Sequence, residues 1–181
     1  MSFNDRLLKI KDKIQTNKLD GIYITNITNV RYLTGFTGSA GSLLIMGDSQ
    51  HFFTDGRYIS QSKEQVKDCK IHIVGGAHYL EIKTKNLIPA NAKIGFESLA
   101  MNVDAYDRLT QALNHCDWEK TSMIVEKIAA TKDMLEIESL KTAIEITDEV
   151  FTQIIPDLKV GAVEKEISAK ISYLFKMNGA D

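Results

Sequence analysis

The residue types of this 181-residue chain that could do chemistry are concentrated in two short segments. NVRYLTGFTGSAG, residues 29–41, places three glycines in the spacing G-x-x-G-x-x-G, and TDGRY covers residues 54–58. The glycine spacing fits neither the dinucleotide pattern G-x-G-x-x-G nor the phosphate loop G-x-x-x-x-G-K-[ST], and the run that follows, SLLI, is typical of a strand. A nucleotide-binding α/β domain is therefore the least favoured interpretation.

The other polar residues form no catalytic or metal-binding pattern. The four histidines (His51, His72, His78 and His115) lack the spacing of metal ligands. The chain contains no G-x-S-x-G motif and no recognisable Cys-His pair. We therefore expect no catalytic residue, no metal ligand and no cofactor in this chain.

The two segments also have a structural interpretation, which the residues alone leave open. The glycines would allow positive φ angles in a tight loop. Asp55 and Arg57 would close a turn as a local ion pair, and Tyr32 and Tyr58 would be half-buried at the end of a sheet.

Charge and hydropathy exclude several classes of partner. The net charge is −2, with 22 Lys and Arg against 24 Asp and Glu and no basic run, which argues against nucleic acid and anionic membranes. No apolar run approaches the roughly 20 residues of a membrane span. The N-terminal residues lack the apolar core of a signal peptide, and Cys69 and Cys116 are isolated, as is typical of reduced thiols. We expect a cytoplasmic protein.

Hydrophobic spacing predicts an α/β fold, a mixed sheet flanked by helices, up to about residue 131. Residues 29–33 are expected to form one or two helical turns, and GDS, residues 47–49, a hairpin turn. Strands are expected over residues 20–25, 42–46, 50–54, 69–74, 92–97 and 117–122. Helices are expected over residues 4–17, 57–67, 77–88 and 103–115, the last with Val103, Tyr106, Leu109 and Leu113 on one face.

From residue 133 the pattern indicates helices only. Asp133 and Glu136 fit a capping box, and apolar residues follow at steps of three and four until Pro156. A second helix is expected to stop at Asn178-Gly179. We place a domain boundary at residues 129–133, which gives domains 1–131 and 132–181. Two amphipathic helices cannot cover their own apolar faces, so we expect the second domain to be truncated.

The chain resembles the Xaa-Pro aminopeptidase, prolidase and creatinase family in four segments, which occur in this order: NVRYLTGFTGSAG, TDGRYISQ, KIGFES and EIESLKTAIEITDEVF. The resemblance implies that residues 1–131 form the creatinase/prolidase-type N-terminal domain and that residues 132–181 are the first two helices of the pita-bread catalytic domain. For the parent protein it implies a metal-dependent hydrolase with two divalent ions, expected to be Mn, acting on peptides with proline at the second position.

The loop GFTGSAG is more similar to that of the aminopeptidases, and a dipeptidase stays open as an alternative. The family also implies a homo-oligomer, expected to be a dimer. Its metal ligands and catalytic histidines lie beyond residue 181, so none can be carried over and this chain should be inactive. A rival interpretation is a binding or oligomerisation module attached to an inactive pita-bread domain.

The resemblance implies that the glycines shape a loop at a sheet edge that faces the active-site mouth of a neighbouring subunit. Its candidate substrate-facing or subunit-facing residues are Arg31, Tyr32, Thr37, Ser39 and Arg57. Each could equally be structural, and we favour that role for Tyr32. One departure from the family is Val163, which replaces the Thr or Ser that usually caps the second helix, at a cost of about 1 kcal/mol.

Overall fold

The computed structural model describes residues 3–180, and the chain divides into two compact units, Met1–Thr131 and Lys132–Asp181. The first unit contains a six-stranded sheet. Its strands are β1 (Gly21–Ile24), β2 (Ser42–Met46), β3 (Ser49–Thr54), β4 (Lys70–Ile73), β5 (Lys93–Glu97) and β6 (Asp117–Thr121). Within the described residues, the α-helices of this unit are α1 (Phe3–Thr16), α2 (Ile27–Thr34), α3 (Ile59–Gln65), α4 (His78–Thr84), α5 (Val103–Ala112) and α6 (Ile124–Ala129), and those of the second unit are α7 (Met134–Ile154) and α8 (Glu164–Met177).

The sheet has the order β4-β3-β2-β1-β5-β6 and is mixed, as predicted. Strand β2 runs antiparallel to both of its neighbours, and the other pairs are parallel. The predicted hairpin joins β2 to β3, with Met46 opposite Ser49 and Gly47 at a φ of 36°. Among residues 3–180, no helix combines the length and apolar character needed to cross a membrane.

Both faces of the sheet are buried, so the core consists of two layers. One layer contains residues of α1, α2 and α6, and the other contains residues of α4 and α5. Strand β1 contributes to both, because successive side chains of a strand point to opposite faces. Ile22 and Ile24 belong to the first layer, and Tyr23 to the second.

Helices α4 and α6 differ most from the sequence predictions. Helix α4 ends at Thr84 rather than residue 88, because Asn86 adopts a φ of 49° and the N–H of Leu87 bonds back to the carbonyl of Ile82. This is a Schellman-type end with asparagine in the usual glycine position. Helix α6 was not predicted, since it is short and the residue before it, Met123, offers no side-chain cap.

The prediction for the face of α5 was partly wrong. Leu109 and Leu113 are buried and Tyr106 stacks on Phe96, but Val103 is 75% exposed. Val103 is the first residue of the helix, one turn before the part that packs on the sheet. Residues 29–33 lie within two helical turns, the longer of the two expectations.

The second unit confirms the predicted helix ends. Asp133 and Glu136 form the capping box, and α7 gives way to a 3₁₀ turn at Ile155–Asp157, which contains the proline. Val163 supplies no side-chain cap to α8, and Gly179 follows the helix with a φ of 85°. Several apolar side chains of α7 are exposed, among them Met134, Leu135, Leu140, Ile144 and Phe151.

The two-sided core predicts the effect of shortening leucines. Leu43 is fully buried in β2, whereas Leu99, after β5, is 75% exposed. We expect Leu43→Ala to lower the free energy of unfolding by about 2–5 kcal/mol because it leaves a cavity. The matched change Leu99→Ala should stay within about 0.5 kcal/mol. Urea unfolding followed by circular dichroism measures both, and equal losses would contradict this description of the core.

Candidate functional site

The glycine loop after α2 is shaped by aromatic packing. Gly35 ends the helix with a φ of 77°, and its N–H donates to the carbonyl of Arg31. A Cβ added to Gly38 would lie 2.3 Å from the ring of Phe36 and 2.9 Å from that of Tyr58. A Cβ on Gly41 would lie 3.1 Å from the Phe52 ring. The glycines therefore let the backbone pass close to three aromatic rings.

The ring of Phe36 is the centre of this packing. It meets Phe52 at 4.8 Å and Tyr58 at 5.4 Å between ring centroids, both edge to face. The family resemblance had implied a position at a sheet edge. The loop instead leads into β2, an interior strand, so it lies at the end of the strands and not beside an edge strand.

Thr37 and Ser39 are held by side chains from the segment after β3. The Thr37 N–H donates to Gln65 Oε1 at 2.9 Å, and the Thr37 hydroxyl accepts from Gln61 Nε2 at 2.8 Å. The Ser39 hydroxyl lies 2.7 Å from the hydroxyl of Tyr58. The loop is thus fastened to α3 and to the 3₁₀ turn at Gly56–Tyr58, with the hydroxyls of Ser39 and Tyr58 exposed.

Arg57 forms the predicted ion pair with Asp55. Its Nε and Nη2 donate to the two carboxylate oxygens at 3.0 and 2.8 Å, and its guanidinium lies 5.2 Å from the ring centre of Tyr58. Hydrogen bonds from Arg57 lower the pKa of Asp55 to about 2. Arg57 is exposed and Asp55 is half-buried, so the carboxylate fixes the position of an exposed guanidinium beside the loop.

Arg31 and Tyr32 lie on α2, and the structure gives them different environments. Arg31 is exposed. Tyr32 is half-buried, with the guanidinium of Arg6 only 4.3 Å from its ring centre, and Arg6 donates to its carbonyl at 2.8 Å. This position supports a structural role for Tyr32. Contacts through Tyr58 connect Ser39 with Arg57.

A half-buried carboxylate, Glu97, was missed by sequence reasoning. It accepts the N–H groups of Thr25 and Asn26 at 2.7 Å each, and the Asn29 amide at 2.6 Å. The same Asn29 amide donates to Glu126 at 2.7 Å. Burial is the largest effect on Glu97 and raises its pKa, while these hydrogen bonds oppose the increase. Its sequence signal was its place in the family motif KIGFES, at the end of a predicted strand.

Glu97 also bears on the nucleotide-binding interpretation. Backbone N–H groups at a helix N-terminus hold the phosphate in nucleotide-binding folds. Here the N–H groups of Thr25 and Asn26, just before α2, are already occupied by the carboxylate of Glu97. An anionic ligand would have to displace that carboxylate, which further disfavours nucleotide binding at this position.

Three of the four histidines, scattered in the sequence, meet around Phe53. His72 stacks on the Phe53 ring at 4.8 Å and His78 at 6.2 Å. His51 Nδ1 lies 3.0 Å from His72 Nε2. In a second buried chain of bonds, the Tyr23 hydroxyl donates to Ser42 Oγ, which lies 2.8 Å from Nδ1 of His78. Sequence spacing could not reveal this cluster, because β3, β4 and α4 bring it together.

Within residues 3–180, no three side chains of His, Cys, Asp or Glu lie close enough together to hold a metal ion. The described residues therefore do not fit the two divalent ions that the family resemblance implies for the parent protein. Both cysteines are free thiols, and burial raises the pKa of Cys69 to about 12.

The fold and the loop agree with a known protein family. The Creatinase/Prolidase N-terminal domain matches residues 6–129. The chain belongs to this family. An uncharacterized peptidase, YqhT of Bacillus subtilis, is 34% identical over 178 residues, which is 97% of this chain and 50% of the relative.

Solved structures of family members superpose on this chain. An Xaa-Pro dipeptidase from Bacillus anthracis has a TM-score of 0.91 at 29% identity, over 98% of this chain and 50% of its own. An X-Pro aminopeptidase from Thermotoga maritima has a TM-score of 0.79 at 27% identity, over 91% and 48%. The predicted family and fold are confirmed, and the chain spans about half the length of these relatives.

The aromatic packing predicts opposite effects of alanine at two glycines. Gly38→Ala forces a methyl group against Phe36 and Tyr58, so we expect it to lower the free energy of unfolding by about 1–3 kcal/mol. The control Gly75→Ala meets no atom within 4 Å and should raise it by about 0.4–1 kcal/mol through the unfolded state. Equal effects in chemical denaturation would show that packing does not fix the loop.

The histidine cluster predicts a dependence of stability on pH. Burial is the largest cause that lowers the pKa of His51, His72 and His78. The unfolded chain therefore binds more protons than the folded chain below about pH 6.5, and stability is lost as the pH falls through this range. Urea unfolding at pH 7.5, 6.5 and 5.5 should show decreasing free energies of unfolding. Constant stability over this range would contradict the buried, neutral state of the cluster.

Proposed function

We propose that this chain is the N-terminal domain, with the first two helices of the catalytic domain, of a metal-dependent hydrolase that cleaves Xaa-Pro bonds. The observation that carries the proposal is the superposition of 98% of the chain on an Xaa-Pro dipeptidase at a TM-score of 0.91. Residues 132–181 would then be the beginning of the pita-bread domain. Peptide cleavage would belong to the whole protein, and the 181 residues alone would be inactive.

The substrate makes a specific demand on such an enzyme. The bond before proline is a tertiary amide without an N–H group, and the ring fixes the backbone at φ near −65°. Two divalent ions, expected to be Mn, would supply the hydroxide nucleophile in the parent protein. No ligand cluster for them lies within residues 3–180, so we assign this chain a role in substrate access and assembly.

We propose that the loop of residues 35–41, which includes Ser39, faces the peptide entrance of a neighbouring subunit in a homodimer. Tyr58 and Arg57 would lie beside it on the same surface. The packing of Phe36 supports this role, because it holds the loop in one conformation. The Nε and Nη2 groups of Arg57 are bonded to the carboxylate of Asp55, which holds the guanidinium in one position and offsets its charge. Arg57 would therefore act as a positioned hydrogen-bond donor more than as a free charge. Thr37 has a mainly structural role in this proposal, since its hydroxyl is bonded to two glutamines.

Aminopeptidase activity is our preferred assignment within the Xaa-Pro peptidases, on the sequence of the loop. Matched structures include both an Xaa-Pro dipeptidase and an X-Pro aminopeptidase, so kinetics on dipeptides and longer peptides must distinguish the two. We also propose a cytoplasmic location, which the two free thiols support.

The role of Arg57 is tested by Arg57→Ala in the full-length protein. We expect kcat/KM on Xaa-Pro peptides to fall by about tenfold or more, as for the loss of one hydrogen bond to a charged group, with metal content unchanged. Arg108→Ala is the control, because Arg108 is as exposed as Arg57 and also forms an ion pair with an aspartate, Asp104, through its Nε. The kinetics of the Arg108 variant should match those of the unchanged full-length protein.

Two outcomes would contradict parts of this proposal. Normal kinetics and normal oligomeric state in the Arg57 variant would reduce Arg57 to a local turn-closing charge. A parent sequence that lacks the two Asp, one His and two Glu of the family after residue 181 would instead favour a non-catalytic binding or oligomerisation module.

A further inference from the structure

His51 and His72 form a pair of facing imidazole nitrogens near the edge of the sheet. His51 lies on β3 and His72 on the edge strand β4, and the parallel register places them diagonally on the same face. Nδ1 of His51 and Nε2 of His72 are 3.0 Å apart. Two nitrogens that bind one tetrahedral zinc ion at about 2.0–2.1 Å are about 3.3 Å apart. A shift of a few tenths of an ångström, with a rotation of the two rings that turns both lone pairs toward a common point, would therefore be needed to bind a metal ion between them.

We propose that His51 and His72 are a two-histidine binding site for Zn²⁺. This revises the expectation from the sequence that no histidine of the chain is a metal ligand. Within residues 3–180, no group of three or more metal-binding side chains occurs, so water completes the coordination in this site. The ion is bound reversibly and has no part in the proposed peptide cleavage.

Hydrogen bonds around His51 prepare its Nδ1 as a ligand. The Ser49 hydroxyl donates its proton to the carbonyl of Met46 at 3.4 Å, and Nε2 of His51 lies 3.2 Å from the same hydroxyl oxygen. That oxygen therefore accepts the Nε2–H of His51, which leaves the lone pair on Nδ1. A metal-binding histidine commonly donates its second N–H to an oxygen in this way.

His72 is oriented by stacking and is more accessible to solvent than His51. Its ring lies on Phe53 at 4.8 Å with an interplanar angle of 17°. In the metal-free pair, Nε2–H of His72 donates to Nδ1 of His51. On metal binding this proton moves to Nδ1 of His72 by exchange with water, so both facing nitrogens present lone pairs and no net proton is released from neutral rings.

Neighbouring charges set the strength of the site. Lys70 and Lys85 lower the pKa of His72 and Glu81 raises it, with burial as the largest effect. Burial, His72 and Lys70 lower the pKa of His51. Both rings are thus neutral at pH 7 and able to bind a metal ion, while the lysines disfavour a further positive charge. We expect weaker binding than at a structural zinc site.

The test is a calorimetric titration of the 181-residue chain with ZnCl₂ at pH 7.5. We expect one Zn²⁺ per chain, and zinc at about 100 times its Kd should raise the folding equilibrium constant about 100-fold. His72→Gln should abolish both effects. The control His115→Gln should keep them, since His115 lies elsewhere, with its Nε2 at 3.0 Å from the carbonyl of Ile88.

A second measurement does not depend on a variant. In NMR spectra of the unchanged chain, Zn²⁺ should shift the imidazole signals of His51 and His72 but not those of His115. Binding should weaken at pH 5.5, because protons compete for the same nitrogens. Absence of binding up to millimolar zinc, binding that persists in His72→Gln, or shifts confined to other histidines would each overturn the proposal.

Discussion

The N-terminal unit depends on a sheet whose central strands are buried on both faces. Apolar side chains at successive positions, such as Ile22 and Tyr23, enter opposite layers of the core. Each layer must then be covered by helices, because exposing either one would return a large apolar surface to water. The glycine loop and Arg57 lie outside this core, in the segments that follow α2 and β3 at the ends of strands.

The glycine loop shows how the core determines a surface. Phe52 in β3 fixes the ring of Phe36, and Phe36 fixes the path of the backbone at Gly38. Tyr58 packs on the same ring and presents its hydroxyl to Ser39. A site built in this manner keeps its shape without a ligand, which is what a substrate-positioning surface requires.

Buried polar groups in this unit are paired across long sequence distances. The amide of Asn29 binds both Glu97, which is 68 residues further along the chain, and Glu126, which is 97 residues further. Ser42 joins Tyr23 to His78. An unpaired polar group in such positions would cost free energy, so these bonds restrict how the helices can dock on the sheet ends. They also connect α2, β5 and α6, which no hydrophobic pattern relates to one another.

Local sequence patterns specify features that depend on neighbouring residues: the order of the strands and of every helix except α6, the hairpin at Gly47, the capping box of Asp133 and Glu136, and the motifs of the family. Each follows from local spacing or from one turn of chain. Three features emerge only in the folded chain: the exposure of Val103, the bonds of Glu97 and the pairing of His51 with His72. These depend on which distant segments become neighbours, and hydrophobic periodicity specifies which face of a strand is buried but not which side chains meet there.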